Sequence, residues 1–170
     1  MPLPEILFET ERLICRPFEA NDFDALVALQ TDPHVYQYVG DGQPLSPDQV
    51  RLWIDRSRKN IETNGFGTGA IVYKDKDELI GWAGYVQPPE QEIEIIYGLS
   101  QEEWGKGLGT EIVQGLVNAA RDRYELIPLQ ATVDPQNSRS IKLLKKIGFE
   151  LFAKTKDEDG LDTDIYHLHG

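Results

Sequence analysis

A chain of 170 residues is long enough for one well-packed domain and short for two, so we expect a single domain over residues 1–170. Hydrophobic residues make up 40% and charged residues 27%, which excludes a disordered chain, and no apolar run approaches the ~20 residues of a membrane span. The net charge of −12 disfavours nucleic acid and anionic membranes and favours cationic partners such as amines and basic peptides, although an acidic surface also promotes solubility by itself.

The start of the chain and its cysteine content bear on the cellular compartment. Residues 1–9 lack the basic and long apolar segments of a secretory signal. Cys15 is the only cysteine, so no intrachain disulfide can form and nothing points to an oxidising compartment. We therefore expect a cytoplasmic protein, and the sequence leaves open whether it is a monomer or a homodimer.

The first part of the chain is predicted to form one strand and two helices. The second helix has the clearest start, because a serine cap is followed by a proline at the first helical position and a glutamine three residues after the cap. The expected bounds are a strand over Glu9–Phe18, a helix from its cap at Asn21 or Asp22 to Asp32-Pro33, and a helix from its cap at Ser46 to Asn64-Gly65.

Strands dominate the prediction for the rest of the chain, with two helices among them. Short connections between the first three strands favour an antiparallel meander. The expected elements are strands over Gly69–Tyr73, Leu79–Val86 and Glu92–Leu99, a helix ending near Tyr124, a strand over Leu129–Val133, a helix over Asn137–Ile147, and a hairpin of Phe149–Thr155 and Asp164–Leu168. The order β-α-α-β-β-β-α-β-α-β-β indicates a mixed α/β (α+β) domain.

A glycine-rich segment lies between the third meander strand and the following helix. Gly105, Gly107 and Gly109 would let the backbone approach a ligand closely, and the helix start would present free N–H groups, which together suit a phosphate. A dinucleotide fingerprint would need glycine where Thr110 stands, and a Walker-type loop would need glycine where Ser100 stands. From the glycines alone, a plain strand-to-helix turn is as good an interpretation as a phosphate loop.

Further segments surround this loop in a fixed order. They are Glu11-Arg12-Leu13 with Arg16-Pro17, Glu94-Ile95-Ile96-Tyr97, Trp104-Gly105-Lys106-Gly107-Leu108-Gly109 followed by Thr110-Glu111, Asp134-Pro135-Gln136-Asn137-Ser138-Arg139-Ser140, and Gly148-Phe149. The whole pattern resembles the GNAT superfamily of acyl-CoA-dependent N-acyltransferases and is similar to its ribosomal-protein, RimJ/RimL-like branch. In that family the loop reads Gln/Arg-x-x-Gly-x-Gly/Ala, and here Trp104 replaces the first residue. The resemblance implies a mixed, mostly antiparallel sheet flanked by helices, with acetyl-CoA as co-substrate.

The same resemblance implies roles for the residues of the site. Backbone N–H groups of the loop are expected to hold the pyrophosphate, and the strand before the loop is expected to pair with the pantetheine arm. Asn137 is expected to hydrogen-bond the same arm, and a backbone N–H near Ile96 is expected to stabilise the oxyanion. The expected acetyl-CoA-binding residues are Tyr97, Gly98, Leu99, Trp104, Gly105, Lys106, Gly107, Leu108, Gly109, Thr110 and Asn137. Asn137 has a simpler interpretation as well, since asparagine is a favoured helix cap.

Acid and base chemistry is expected because an alkyl amine, with a pKa of ~10, must lose a proton before it attacks a thioester. Ser140 matches the family position proposed to protonate the leaving thiolate. The tyrosine that many relatives use is replaced by Leu144, and the glutamate that others use before the asparagine is replaced by Thr132. Glu94 is then the leading candidate for the base, acting through water, although any half-exposed strand shows the same alternation.

Several alternatives stay open at this stage. Glu92, on the same strand face, is the second candidate for the base. No Ser-His-Asp or Cys-His pattern stands out, so direct attack in a ternary complex is expected. The scattered histidines lack metal-ligand spacing, so no metal is expected.

The expected acceptor is a protein N-terminal amine or a small amine. The rival interpretation of the whole protein is a non-catalytic acyl-CoA-binding regulator. One wall of the acceptor site is expected from His34–Asp41, Gly42-Gln43-Pro44 and the second helix, lined by Tyr36, Tyr38, Phe66 and Tyr85.

Overall fold

Eight strands lie in one sheet in the order β1-β2-β3-β4-β5-β6-β8-β7, in a computed structural model that describes residues 3–39 and 42–170. Gly40 and Asp41 of the predicted acceptor wall, and Met1 and Pro2 of the N-terminal segment, lie outside the described residues. The elements are β1 (Phe8–Glu9), β2 (Leu13–Pro17), α1 (Phe23–Gln30), α2 (Pro33–Tyr36), α3 (Pro47–Asn64), β3 (Thr68–Tyr73), β4 (Leu79–Val86), β5 (Ile93–Leu99), α4 (Leu108–Asp122), β6 (Leu129–Val133), α5 (Ser138–Ile147), β7 (Glu150–Lys156) and β8 (Asp162–Leu168). The prediction of a mixed, mostly antiparallel sheet with flanking helices is confirmed.

The helix caps read from the sequence are present. Ser46 and Gln49 form a reciprocal capping box at the start of α3, with the Gln49 N–H 3.2 Å from Ser46 Oγ and the Ser46 N–H 2.8 Å from Gln49 Oε1. Gly65, with φ of +81°, ends that helix in the left-handed conformation that favours glycine. Asn137 caps α5, whose end is set in the same way by Gly148.

Two local predictions differ from the structure. The single strand expected over Glu9–Phe18 is two strands, because residues 10–12 form a turn in which the Thr10 N–H donates to the Leu13 carbonyl at 2.9 Å. The dipeptide Asp32-Pro33 ends α1 as expected, and it also begins the short helix α2. Asp32 Oδ1 accepts the His34 N–H at 3.0 Å, and the proline occupies the first helical turn.

The two faces of the sheet carry separate hydrophobic clusters. Neighbouring residues of one strand alternate between them, as Ile95 and Ile96 do on β5, because successive strand side chains point to opposite faces. Helix α4 buries its apolar stripe in the cluster that contains Ile95. Helices α1 and α3 supply most of the other cluster, in which Trp82 packs edge-on against Trp53. The central strands therefore lie between two layers of helices.

The central strands β5 and β6 part soon after they begin to pair. They are parallel and pair only at Ile93–Leu129 and Glu94–Gln130, whereas β4 and β5 remain paired as far as Gly81–Leu99. The carboxyl ends of both strands point the same way, so the loop before α4 and the start of α5 flank one opening. We call this opening the β5–β6 gap.

No helix in the described ranges is long and apolar enough to cross a membrane.

Candidate active site

The glycine-rich loop adopts the backbone conformation that its glycines allow. Gly105 and Gly107 have φ of +80° and +79°, in the left-handed region where other residues are strained. Gly107 is the N-cap of α4 and has no side chain to accept a hydrogen bond from the first turn of the helix. The first N–H groups of an α-helix lack intrahelical acceptors, so this turn presents donors and the positive end of the helix dipole. An anion is the chemical complement of that arrangement.

Trp104 connects the start of the loop to strand β5 by a hydrogen bond. Its indole Nε1 donates to the Leu99 carbonyl at 3.1 Å, and the guanidinium carbon of Arg139 lies 4.4 Å from the centre of the indole ring. The cation–π contact connects the first turn of α5 to the loop. Lys106 lies on the outside of the same loop, with its ammonium 3.0 Å from Glu103 Oε2. Three side-chain contacts therefore stabilise the loop, two of them to β5 and α5.

The edge of β5 that faces the gap is available to a ligand backbone. The Ser100 N–H donates to the Ile80 carbonyl at 2.8 Å, which makes Leu99 and Gly81 a non-hydrogen-bonded pair of the β4–β5 ladder. The strict alternation of an antiparallel ladder then directs the backbone groups of Leu99 and Tyr97 away from β4 and towards the gap. Gly98 pairs with Trp82 instead, and a Cβ on Gly98 would lie only 2.2 Å from the Trp82 ring.

The same alternation refines the expected oxyanion donor. Ile96 lies opposite Gly84 and its backbone groups are directed at β4. The neighbouring N–H that faces the gap is therefore that of Tyr97.

Ser140 and Asn137 meet a third residue at the start of α5. The Asn137 Oδ1 accepts the Ser140 N–H at 3.3 Å, which confirms the capping interpretation of Asn137. The Ser140 hydroxyl forms a short hydrogen bond with the Tyr97 hydroxyl. Burial raises the pKa of Tyr97, and the hydrogen bond with Ser140 partly offsets that rise. The sequence analysis placed only the backbone of Tyr97 at the site, so its side chain is an addition.

Glu94 lies on the other face of β5 and does not touch Ser140. Its Oε1 accepts from Gln130 Nε2 at 2.8 Å, and its Oε2 accepts from Thr132 Oγ1 at 3.4 Å. Burial raises the pKa of the Glu94 carboxyl above its ordinary value, and these two hydrogen bonds act in the opposite direction. A carboxylate with a raised pKa is a better proton acceptor near neutral pH than an ordinary one. The sequence analysis missed Gln130, although a glutamine inside a short apolar strand was a signal of buried polar contacts.

The structure contradicts one residue of the expected acceptor wall. Tyr85 is buried among core residues, and its hydroxyl donates to the Leu116 carbonyl at 2.5 Å beneath α4, so the prediction that it lines the acceptor site is wrong. Phe66 packs edge-on against Tyr85. Tyr36 and Tyr38 lie in and after α2, and Tyr38 is exposed. Within residues 3–39 and 42–170, no three His, Cys, Asp or Glu side chains are grouped so that they could hold a metal ion.

Comparison with known proteins agrees with this geometry. Residues 12–150 match the family described as Acetyltransferase (GNAT) domain. An uncharacterized N-acetyltransferase, p20, of Bacillus licheniformis is 31% identical over 166 residues, which are 92% of this chain and 91% of that protein.

Two solved structures have the same fold. The crystal structure of an acetyltransferase from Agrobacterium tumefaciens has a TM-score of 0.82 and 26% identity, covering 100% of this chain and 95% of that one. RimL, a ribosomal L7/L12 alpha-N-protein acetyltransferase solved in complex with coenzyme A, has a TM-score of 0.81 and 18% identity, covering 97% of this chain and 98% of that one. The glycine-rich loop, the parted strands and these matches identify the chain as a member of the GNAT family of acetyl-CoA-dependent N-acetyltransferases.

Proposed function

We propose that the protein transfers the acetyl group of acetyl-CoA to a primary amine by direct attack within a ternary complex. The observation that carries this proposal is the β5–β6 gap, which has an anion-binding loop at one end, a hydroxyl pair on one side and a carboxylate on the other. The acceptor is either a protein N-terminus or a small amine, and the net charge of −12 suits a cationic molecule of either kind.

Donor binding divides between the loop and the strand edge. The N–H groups from Gly105 to Thr110 hold the pyrophosphate, because the left-handed glycines let the backbone approach a ligand closely and the helix start has no side-chain cap to occupy its first N–H groups. The outward carbonyl of Tyr97 and the outward N–H of Leu99 pair with the amides of the pantetheine arm in the way an added strand would, while the Leu99 carbonyl accepts from Trp104. The side-chain amide of Asn137 donates to the same arm from the α5 side.

The hydroxyl pair protonates the leaving group. When the amine nitrogen bonds to the thioester carbon and the C–S bond breaks, the sulfur departs as a thiolate that needs a proton. Ser140 supplies that proton, directly or through one water, and its oxygen regains a proton through water from the nitrogen, which gives one up as the neutral amide forms. The adjacent Tyr97 hydroxyl fixes the rotamer of the serine. The Tyr97 N–H is placed at the open edge of β5, where it donates to the developing oxyanion.

Glu94 accepts the proton that the acceptor ammonium loses before attack, through water. Its environment supports this role because Gln130 and Thr132 orient the carboxylate while burial raises its pKa. The base and the acid thus lie on opposite faces of β5, so the amine approaches from the α1–α3 face and the thiol leaves on the α5 side. This separation prevents direct proton exchange between the two groups.

A thiol-release assay tests the proposal. Purified protein with acetyl-CoA is presented with small amines and with peptides that carry free N-termini, and N-terminally blocked peptides serve as controls. Release above background hydrolysis with an unblocked amine is expected. Calorimetric binding of CoA without release by any acceptor on the panel would favour the non-catalytic regulator instead.

A further inference from the structure

A network of hydrogen bonds connects the glycine-rich loop to the turn of residues 10–12, almost a hundred positions earlier in the chain. Arg12 Nη1 donates to the Lys106 carbonyl at 3.1 Å, and Arg12 Nε lies 2.7 Å from Glu111 Oε1. The Arg12 N–H and the Thr10 hydroxyl both donate to Glu111 Oε2, at 3.0 and 2.5 Å. One guanidinium therefore bridges the loop before α4 and the first turn of α4.

The bond to Lys106 fixes the orientation of one peptide unit of the loop. The one cis peptide bond of the described residues is Ile127–Pro128, so the peptide between Lys106 and Gly107 is trans. In a trans peptide the C=O and the N–H point in opposite directions. Because Arg12 holds the Lys106 oxygen on its own side, the Gly107 N–H is turned to the side away from Arg12.

The two glycines at the start of α4 have different neighbours. A Cβ on Gly107 would have Arg12 Nη2 as its neighbour at 3.7 Å, whereas a Cβ on Gly109 would meet Leu143 of α5 at 3.1 Å. Arg12 therefore lies beside Gly107, and α5, which flanks the β5–β6 gap, lies beside Gly109. With the pyrophosphate in the gap, as proposed, a Gly107 N–H turned away from Arg12 can donate to it.

Charge gives Arg12 a second effect at the same place. Glu111 lies in the first turn of α4, so its carboxylate is close to any phosphate held there. Burial alone would raise the pKa of Glu111, but hydrogen bonds from Thr10 and Arg12 outweigh burial and lower it, so the group is ionised at neutral pH. The Arg12 guanidinium offsets this negative charge, which would otherwise repel an anionic ligand.

From these contacts we infer that Arg12 is a positioning residue for the phosphates of the acetyl donor, acting through the Lys106 carbonyl and held in place by Glu111. The inference rests on the proposed function and extends it, because it assigns the phosphate-binding geometry to a residue outside the loop. It requires that Arg12 affects only donors that carry the phosphates.

The test compares acetyl-CoA with S-acetylpantetheine, which carries the same thioester without the phosphates. For R12A we expect KM for acetyl-CoA to rise about tenfold or more, since charge-assisted hydrogen bonds are the strong ones, with kcat and the S-acetylpantetheine kinetics within about twofold of wild type. The matched control is K74A. Lys74 is another partly exposed cation in an ion pair, 41% exposed against 44% for Arg12, and its side chain bonds Glu9 rather than the loop.

A conservative variant separates geometry from charge. R12K keeps the positive charge but lacks the guanidinium fork that reaches Lys106 and Glu111 together, so we expect it to retain most of the R12A defect. Equal losses with both donors, no loss with either, or full recovery in R12K would overturn the inference. If the wild-type protein does not prefer acetyl-CoA to S-acetylpantetheine, the proposed phosphate loop fails and the inference fails with it. Isothermal titration with CoA and with pantetheine gives the same comparison without turnover.

Discussion

The hydroxyl groups of Tyr97 on β5 and Ser140 on α5 share a short hydrogen bond where the strands β5 and β6 have parted. The contact joins the strand proposed to bind the donor arm to the helix proposed to supply the leaving-group proton. Under the proposed function, this pair delivers the proton to the leaving thiolate.

Removal of the Ser140 hydroxyl should therefore impair chemistry more than donor binding. We expect S140A to lower kcat about 10²-fold, in the usual range for a lost general acid, with KM for acetyl-CoA within about threefold of wild type. Y97F should lower kcat less, because the serine remains. S138A is the control, since Ser138 is an exposed serine in the same helical turn. Equal kcat values for S140A and S138A would exclude Ser140 as the acid.

The raised pKa of Glu94 predicts opposite effects of E94Q on activity and on stability. A base acts only when ionised, so kcat/KM of the wild type should fall as the pH drops through the Glu94 pKa, which lies above the ordinary glutamate value. E94Q should remove this acidic limb and lower kcat about 10²-fold.

The raised pKa of Glu94 also determines how the free energy of unfolding depends on pH. The folded protein binds the Glu94 proton more tightly than the unfolded chain, so the free energy of unfolding falls as the pH rises between the two pKa values. At neutral pH the ionised, half-buried carboxylate therefore costs stability, and E94Q should be at least as stable as wild type in urea titrations. E92Q provides the comparison: a loss of the acidic limb in E92Q alone would transfer the role of base to Glu92.

The left-handed backbone of Gly107 can be tested against a glycine of the same conformation elsewhere. Gly107 and Gly160 have φ of +79° and +78°, and neither position would place a Cβ within 3.4 Å of another atom. Alanine at either position costs about 1–2 kcal/mol of backbone strain. G107A should also weaken CoA binding at least tenfold in calorimetry, since relief of that strain turns loop donors away. G160A lies in the β7–β8 hairpin, so an equal loss of CoA affinity there would contradict the loop assignment.

Arg16 has one buried and one exposed carboxylate partner, which allows a stability comparison around a single residue. Its guanidinium binds Asp22 in a bidentate pair at 2.8 and 2.9 Å and binds the exposed Asp77 at 2.9 Å. D22A breaks the buried bidentate pair and leaves the buried guanidinium with only the exposed Asp77 as a carboxylate partner, so it should cost about 3–5 kcal/mol of unfolding free energy. D77A should cost about 0.2–1 kcal/mol. Chemical denaturation measures both, and similar values would show that burial does not distinguish the two pairs.

Local chemistry allowed much of the fold to be predicted from the sequence. Helix ends are determined by residues close to them in the sequence, such as the capping box at Ser46 and the left-handed glycines after α3 and α5. The bounds of β4 and β6 agree with the pattern of apolar residues. The turn that separates β1 from β2 was missed for a different reason. Thr10 and Arg12 are held there by Glu111, and no local periodicity reports a contact over about a hundred positions.

The sequence allowed most residues of the candidate site to be predicted, but not the contacts between them. The resemblance to a family located Ser140, Asn137 and the loop, yet only the folded chain brings the Tyr97 hydroxyl to Ser140 and pairs the half-buried Glu94 with Gln130. The register of the β4–β5 ladder decides that Tyr97 rather than Ile96 turns its N–H to the gap. That register is the pairing of particular residues on two strands, which only the folded chain shows.

An unpaired strand edge usually exposes a protein to aggregation through added strands. The outer edges of this sheet are a strand of two residues, β1, and a strand, β7, that carries Lys154 and Lys156 on exposed positions. The third unpaired edge, on β5, lies inside the sheet, where β6 begins only a few residues away and helices α4 and α5 flank the opening. The edge proposed to bind the donor arm is therefore flanked by helices, unlike an edge at the rim of a sheet, which another protein chain can approach freely.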